Sequence, residues 1–391
     1  MGYVTLGWRS SYMASNKSSR TFIALVLALV AAGCGGNKIT PPACVPAAAK
    51  QFAYLLNSND TQVSMFSVDS CTGAFTATTP ATVATGVSPG QIGAEDMVVD
   101  PLGRFAYVAN LVSNASDQAT ISMYTINPAT GVLSPTNPPT VHTGFFPQGI
   151  AIDPAGKFVY TANSDDNSVS MFTIDAVTGL LTPTTPAAVA AGRAPLSVTI
   201  DPSGRFAYAA NQIDGTISMY AINSSTGVLT PLSPATALAG GGPFGVTFDP
   251  SGKFAYVPDN DVNMVSQFKV DPNTGVLSPI SPSSVTTGQH PTAVAVDPSS
   301  KFAYVVNRID NTVSMFTFDA ITGNLSPLGV IGTGRQPFRI AFDRSGKFLY
   351  VVNEQGPDSI YTINSDGTLK SAGMTGNANG ALSLALTMAR Q

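Results

Sequence analysis

Three observations predict that the chain after residue 50 is all-β. An aspartate recurs at intervals of 53, 48, 48, 48 and 46 residues, at Asp100, Asp153, Asp201, Asp249, Asp297 and Asp343. Each of these units contains four short runs rich in Val, Ile, Phe, Tyr and Thr, with no helical period between them. Pro, Gly, Asn and Asp separate the runs. Four antiparallel strands per unit, repeated along the chain, indicate the blades of a β-propeller.

One unit shows the predicted elements in order. PLSVTID (195–201) is an inner strand, DPSG is a tight turn, and RFAYAAN is the second strand. A short Asn/Asp turn leads into TISMYAI, and SSTG forms a hairpin turn before VLTPL, the outer strand. Gly227 supplies the positive φ that a bulged hairpin turn requires.

The two ends of the repeat complete a seventh blade. QFAYLLN (51–57) lacks the inner strand that precedes it in the other units, and ALSLALT (381–387) is an inner strand with no successor. We expect these two segments to pair, because closure of the ring removes the exposed sheet edges. The sequence therefore predicts one domain, a seven-bladed propeller over residues 50–391.

The N-terminal region has the features of an export signal. Residues 1–33 contain no acidic residue, and their apolar run TFIALVLALVAAG has 13 residues, fewer than the roughly 20 of a membrane span. The run ends in AAGC, which resembles the lipidation motif of bacterial lipoproteins and predicts acylation of Cys34. We expect translation to start at Met13. A plain signal peptide with an incidental Cys34 is the alternative.

Lipidation would place the protein in the cell envelope. Residues 34–49 form a polar tether, so the domain would contact the outer membrane through its lipid alone, facing either the periplasm or the cell surface. Cys44 in the tether and Cys71 in the first hairpin turn are predicted to form a disulfide, which would persist in an exported protein. Free thiols are the alternative.

Charge and composition exclude some classes of function. The chain from Cys34 onward loses three of the 19 basic residues and none of the 23 acidic ones, so its net charge is minus 7. Nucleic-acid binding is therefore not expected. The single Trp, Trp8, precedes the domain, which excludes propellers that dock their blades through tryptophan. We expect a monomer, with no metal and no cofactor.

Two further repeated features are predicted to be structural. The third strands carry the stripe VSMF, ISMY, VSMF, ISMY, VSQF and VSMF, which we interpret as core because methionine fills gaps between packed blades. The second strands end in Asn or Asp, residues that bond to nearby backbone at turns. These positions are Asn57, Asn110, Asn163, Asn211, Asp259, Asn307 and Asn353.

The residues also resemble a known family. YVAN, YTAN, YAAN and YVVN follow DPxG-type turns, as in YVTN-repeat propellers, and PFRIAFDRSGKFLYVVNE (337–354) is similar to a signature of the seven-bladed lactonase family. That family includes 6-phosphogluconolactonase-type and carboxymuconate-lactonising enzymes, and the resemblance covers residues 50–390. It implies a role for Glu354, which matches the family glutamate. Phe338 and Arg339 stand where the family has Arg and His.

A ring of GxxP loops marks the predicted binding face. These loops and the Asn-rich turns lie at one end of the blades, and the DPxG and TG turns lie at the other. The two variable residues of each loop, together with residues just after the Pro, supply candidate ligands for a carboxylate or phosphate. The candidates are Arg193, Arg335, Arg339, Gln289, Phe145 and Phe146, with His290 beside them. Solvated loop tips are the alternative interpretation.

An insertion before the second inner strand brings Glu95 and Asp96 to the same face. No nucleophile elbow, phosphate loop or zinc spacing is present. We therefore predict a lipid-anchored platform that binds a small anionic ligand or a cell-envelope protein. The alternative is a lactonase-like hydrolase that opens a sugar or carboxylate lactone at the channel mouth, with Glu354 and His290 as acid and base.

Overall fold

The computed structural model describes residues 50–57, 61–86, 93–111, 119–375 and 381–387. Within them, 28 strands form seven antiparallel sheets of four strands each, which confirms the predicted seven-bladed propeller. The predicted signal peptide, the tether, Cys34 and Cys44 lie outside the described residues. The described part of the chain contains no helix that is long and apolar enough to cross a membrane.

Within each blade, the first strand named lies at the channel and the fourth lies at the outer rim. The blades are as follows: blade 1, β28 (Ala381–Leu386), β1 (Gln51–Asn57), β2 (Gln62–Val68), β3 (Phe75–Ala84); blade 2, β4 (Ala94–Val99), β5 (Phe105–Asn110), β6 (Thr120–Ile126), β7 (Leu133–His142); blade 3, β8 (Pro147–Ile152), β9 (Phe158–Asn163), β10 (Ser168–Ile174), β11 (Leu181–Ala190); blade 4, β12 (Pro195–Ile200), β13 (Phe206–Asn211), β14 (Thr216–Ile222), β15 (Leu229–Leu238); blade 5, β16 (Thr247–Phe248), β17 (Phe254–Asp259), β18 (Met264–Val270), β19 (Leu277–Thr286); blade 6, β20 (Pro291–Val296), β21 (Phe302–Asn307), β22 (Thr312–Phe318), β23 (Leu325–Gly332); blade 7, β24 (Arg335–Phe342), β25 (Phe348–Gln355), β26 (Ser359–Ile363), β27 (Leu369–Met374).

The ring closes as the sequence predicted. Strand β28 pairs antiparallel with β1, so that Ala53 faces Leu386 and Leu55 faces Leu384. The backbone N–H of Phe52 donates to the hydroxyl of Thr387 at 2.8 Å, which extends the pairing by one residue. Both ends of the described domain therefore belong to the same blade, and no inner-strand edge of blade 1 is left open.

The DPxG turns are held by their aspartates. In blade 4 the carboxylate of Asp201, which is buried, accepts hydrogen bonds from the backbone N–H groups of Ser203, Arg205 and Phe206. Gly204 takes a φ of 71° in this turn, a conformation that glycine adopts without strain. The repeated Asp is therefore a turn residue, and in blades 2 to 7 it lies in the turn that joins the inner strand to the second strand.

Neighbouring blades are joined by a Phe-x-Tyr latch. The tyrosine hydroxyl in each second strand donates to the carbonyl of the glycine in the next blade's TG turn, over 2.6 to 3.0 Å. The phenylalanine two residues earlier packs on the same glycine, where a Cβ would overlap the ring. The pairs are Tyr54–Gly131, Tyr107–Gly179, Tyr160–Gly227, Tyr208–Gly275, Tyr256–Gly323, Tyr304–Gly367 and Tyr350–Gly73.

The methionine stripe is buried, as predicted, and it also accepts hydrogen bonds. The sulfur of Met171, which is fully buried, accepts the backbone N–H of Leu229 in the next blade at 3.1 Å. Blade 5 has Gln267 at this position, and its amide oxygen accepts the N–H of Leu325 at 2.8 Å. The exception in the VSMF stripe therefore keeps the acceptor, because a glutamine oxygen replaces the sulfur.

Candidate functional site

The inner strands carry a bulge at the end nearest the GxxP loops. In five blades the register against the second strand shifts by one residue there, so that one inner-strand residue has no partner. A bulge re-aims the side chains beside it, and bulges are common next to binding sites. The unpartnered residues are Glu95, Gln148, Leu196, Thr292 and Phe338.

Next to these bulge residues, the inner-strand segments of all seven blades line a channel cavity of about 450 Å³. Its wall differs from one side to the other. Asp96 and Arg339 supply charge from blades 2 and 7, whereas blades 4, 5 and 6 contribute the small residues Ser197, Gly245 and Ala293. The charged side chains of the lining therefore lie on one side of the channel.

Asp96 is the most firmly held acid at the mouth. One of its carboxylate oxygens accepts from the hydroxyl of Ser383 at 2.7 Å, and the other accepts from the backbone N–H of Ile150 at 3.4 Å. The second oxygen also lies 3.6 Å from the guanidinium of Arg339. Asp96 thus links blades 1, 2, 3 and 7 across the top of the channel.

A second ion pair lies beside the first. The guanidinium of Arg308 on blade 6 contacts the carboxylate of Glu354 on blade 7 at 2.6 Å. The rings of Phe338 and Phe244 meet edge to face, with centroids 5.4 Å apart. Arg308 and Arg339 both lie over the ring of Phe338, at 5.7 and 5.1 Å from its centroid. One buried aromatic ring therefore positions two guanidinium groups.

The third carboxylate of the mouth, Glu95, is half-buried. Burial is the main cause that raises the pKa of Glu95; Arg339 and Arg308 lower this pKa, Asp96 and Glu354 raise it, and the net value is about 7. We call Glu95, Asp96, Arg308, Arg339 and Glu354 the mouth cluster. It brings together two of the residues predicted from sequence as ligands or catalysts, Arg339 and Glu354, and both acids of the insertion.

The remaining predicted site residues lie on the exposed GxxP loops and do not line the channel cavity. The guanidinium of Arg193 pairs with Asp214 at 2.6 Å. His290 lies on the loop before β20, where its Nδ1 is 2.9 Å from the amide oxygen of Asn260 and its carbonyl accepts the backbone N–H of Arg308. Phe145, Gln289 and Arg335 are exposed, and Phe146 is half-buried.

The GxxP loops are braced by the Asn/Asp turns beside them. The carboxylates of Asp166, Asp214 and Asp310 accept backbone N–H groups at the first variable position of the loops. The amide oxygen of Asn263 accepts the N–H of His290 at the second variable position. Among the described residues, no group of three or more His, Cys, Asp or Glu could hold a metal ion. These acids instead stabilise the loops.

The sequence analysis did not identify Arg308. This residue follows the Asn that ends β21, and it is the only basic residue among the equivalent described positions. The others are Leu111, Ser164, Gln212, Asn260 and Glu354. A comparison of residues directly after the repeated Asn would have singled out both Arg308 and Glu354, because they are the charged exceptions.

The Asn positions at the ends of the second strands have the predicted structural role. In blade 4 the side-chain amide of Asn211 donates to the hydroxyls of Thr216 and Ser218, and its oxygen accepts the N–H of Gly192. Cys71 is disulfide-bonded. Its predicted partner, Cys44, lies outside the described residues, so that pairing stays a prediction.

Comparisons with known proteins identify related chains. The family model described as a seven-bladed β-propeller lactonase matches residues 44–194, 183–289 and 235–381. A candidate 6-phosphogluconolactonase of Bacteroides fragilis is 20% identical, with a TM-score of 0.73 over 87% of this chain and 99% of that chain. The periplasmic gluconolactonase of Pseudomonas aeruginosa is 18% identical, with a TM-score of 0.71 over 88% and 100% of the two chains. No curated protein sequence matches significantly.

Proposed function

Because the chain belongs to the family of seven-bladed β-propeller lactonases, we propose that it is a hydrolase that opens a lactone ring at the mouth cluster. One observation carries the proposal: Arg308 and Arg339 lie over one aromatic ring, beside three carboxylates, at the mouth of the channel. Lactone hydrolysis is accelerated by donors or cations that stabilise an oxyanion and by a base that activates water. The mouth cluster offers both kinds of group.

The two arginines suit the charge that develops in this reaction. Attack of water on the lactone carbonyl places a negative charge on its oxygen in the tetrahedral intermediate. A guanidinium donates hydrogen bonds in a fixed plane and stays protonated, so it stabilises this oxygen or holds the carboxylate of the product. Glu354 positions Arg308 through the 2.6 Å ion pair. The buried Nε of Arg308 has no partner in the described part of the chain.

This chain lacks the histidine of the family signature, so we propose that a carboxylate acts as the base. Arg339 stands at the position of the family histidine, and Phe338 stands at the position of the family arginine. His290 is exposed on its loop, and its ring nitrogen is already bonded to Asn260. We therefore assign oxyanion stabilisation to the arginines and proton transfer to an acid of the mouth cluster.

The related structures suggest the class of substrate. They are a candidate 6-phosphogluconolactonase and a periplasmic gluconolactonase, and both names refer to lactones of sugar acids. We propose a sugar or carboxylate lactone for this chain as well. The protein would meet it in the cell envelope, anchored through Cys34. Labelling of cells with a radioactive fatty acid tests the anchor, and label retained by the Cys34→Ala variant would contradict it.

The function is tested by hydrolysis of a panel of sugar, phosphosugar and carboxylate lactones between pH 6 and 8. We expect turnover of at least one lactone, reduced about 10²- to 10³-fold in kcat by Arg308→Ala or Arg339→Ala, as for loss of an oxyanion donor. Asp165→Asn, which changes an exposed turn carboxyl outside the mouth cluster, is the matched control and should retain activity.

Failure of every lactone to exceed its spontaneous rate would overturn the hydrolase. It would favour a propeller that binds an anionic ligand or an envelope protein without turning it over. Turnover that is unaffected by both arginine substitutions would place the reaction outside the mouth cluster.

A further inference from the structure

We propose that Glu95 is the general base of this site and that it activates the attacking water. The inference rests on the proposed function and names a residue that the family signature does not contain. Glu95 is the unpartnered bulge residue of β4, directly before Asp96, in the segment where the second unit is longer than the others. Phe338 is the equivalent bulge residue of β24.

The mouth cluster contains three carboxylates, and two of them are engaged by an arginine. The carboxylate of Asp96 accepts three hydrogen bonds, from Ser383, Ile150 and Met97, and lies 3.6 Å from the guanidinium of Arg339. Glu354 lies 2.6 Å from Arg308. A carboxylate that contacts a guanidinium already uses an oxygen to orient that cation. Asp96 and Glu354 are therefore suited to hold the arginines in place.

Glu95 differs from both of these acids. In the part of the chain that the structure describes, its carboxylate neither accepts a hydrogen bond nor forms an ion pair within 4.0 Å. The charged groups that influence it are Asp96 on its own strand, Arg308 after β21, and Arg339 and Glu354 on blade 7. Among the described residues, Glu95 is therefore the one carboxylate of the cluster with both oxygens left to accept from a water molecule.

The electrostatic balance around Glu95 also suits a base. Burial and two neighbouring acids oppose its ionisation, and two arginines favour it, which leaves its pKa at about 7. A general base is most effective when its pKa is near the working pH, since it is then both ionised and able to hold a proton. This property supports the geometric argument.

The proposed reaction has two steps, formation of a tetrahedral intermediate and its collapse. Ionised Glu95 takes a proton from water while the water oxygen bonds to the lactone carbonyl carbon, and the carbonyl oxygen becomes an oxyanion beside the arginines. The bond between the carbonyl carbon and the ring oxygen then breaks, and Glu95 returns its proton to that oxygen. The product is an open-chain hydroxy acid, and Glu95 is again ionised. One water molecule is consumed, and no oxidant, metal or cofactor is needed for the balance.

The test compares the pH dependence of kcat/KM in the wild type with that in Glu95→Gln and Glu95→Asp, on a lactone that the wild type hydrolyses. We expect the wild-type kcat/KM to rise with pH through about 7, because the base must be ionised. Glu95→Gln should lower kcat about 10²- to 10⁴-fold and remove this limb, with little change in KM. In Glu95→Asp, kcat/KM should still rise with pH, but its value should be lower than in the wild type.

Thermal unfolding separates a catalytic role from a structural one. The pKa of Glu95 is raised by folding, so its contribution to stability is present below its unfolded value and is lost as pH rises through about 7. Glu95→Gln should therefore unfold at the same temperature as the wild type or higher at pH 8, although it is inactive. Asp165→Asn again serves as the control with full activity.

Two outcomes would overturn the inference. If the wild type hydrolyses a lactone and Glu95→Gln keeps more than a tenth of kcat/KM with the same pH limb, the hydrolase stands and another group is the base. If the wild type hydrolyses no lactone, the proposed function fails and the role of Glu95 fails with it.

Discussion

At the scale of single residues, one buried carboxyl departs from the repeat. Asp259 ends β17 where the other described blades have asparagine, and it is almost completely buried. Its carboxylate accepts from the hydroxyl of Ser266 at 2.6 Å and from the N–H of Gly240 at 3.0 Å. Burial outweighs these hydrogen bonds and raises the pKa of Asp259 to about 6. The ionised form therefore opposes folding at neutral pH.

We predict that Asp259→Asn stabilises the protein at pH 8. The amide oxygen of an asparagine would still accept the N–H of Gly240. Its amide NH₂ would donate to the hydroxyl of Ser266, as the amide of Asn211 donates to Ser218. Because the pKa of Asp259 is raised by folding, the free energy of unfolding of the wild type falls as pH rises from about 4 through about 6. The variant has no carboxyl at this position, so it lacks this pH-dependent loss of stability. The gain at pH 8 should be roughly 1–3 kcal/mol, measured by denaturant unfolding.

The reverse substitution in blade 6 is the control. Asn307→Asp places a carboxyl at the equivalent position, where the amide now donates to Thr312 and Ser314. It should lower the free energy of unfolding at pH 8 more than at pH 4. Equal stability of Asp259→Asn and wild type at both pH values would refute this account of Asp259.

At the scale of elements, the blades are joined by turns rather than by their strands alone. Gly227 in the hairpin before β15 has a φ of 74°, and its carbonyl accepts the hydroxyl of Tyr160 at 2.9 Å. A Cβ on Gly227 would lie 2.4 Å from the ring of Phe158. The glycine is therefore required twice, by its backbone conformation and by the close approach of the neighbouring blade.

We predict that Gly227→Ala destabilises the fold by roughly 2–4 kcal/mol, through positive-φ strain and overlap with Phe158. Gly332, at the end of β23, has nothing within 4 Å of a built Cβ, so Gly332→Ala should change stability little. Both values come from thermal or denaturant unfolding. A loss for Gly227→Ala no larger than that for Gly332→Ala would show that the latch carries little energy.

At the scale of the whole molecule, closure is shared between the two ends of the domain. Strand β28 supplies the inner strand of blade 1, and Ser383, two residues into it, donates to Asp96 of blade 2. The last latch, from Tyr350 to Gly73 at 3.0 Å, joins blade 7 to blade 1. Ring closure therefore also supports the mouth cluster, because Asp96 depends on a residue from the closing strand.

We predict that deletion of residues 381–391 opens the ring. The edge of β1 would lose its partner, and the propeller should aggregate or unfold at a much lower temperature, because an exposed strand edge pairs with other chains. Deletion of residues 388–391 alone is the control and should leave the unfolding temperature unchanged. Size-exclusion chromatography and circular dichroism report the result. A monomeric 381–391 deletion with the wild-type unfolding temperature would contradict it.

The architecture could be predicted from the sequence because the repeat is local chemistry copied seven times. Asp at the DPxG turn, Gly at the TG turn and the alternating strands act within one unit or on the next, so each copy repeats the same information. Even the pairing of β28 with β1 followed from two incomplete copies. The methionine stripe and the terminal Asn positions were assigned to structure for the same reason.

The candidate site was only partly predictable. Arg339, Glu354, Glu95 and Asp96 were noticed as residues near the channel face, but the GxxP loop tips drew equal attention, and Arg308 was missed. A loop tip and a bulge residue are close in sequence, and only the register against the second strand shows which residue is the unpartnered one.

The sequence by itself therefore determined the fold class, the number of blades and the way the ring closes, since these follow from short-range patterns. Only the tertiary structure decided which charges meet. The pairs Asp96–Arg339 and Arg308–Glu354 join different blades, and the pKa of Glu95 is raised chiefly by burial, with these four charges acting on it in both directions. Such a cluster depends on distances through space, which no single repeat encodes.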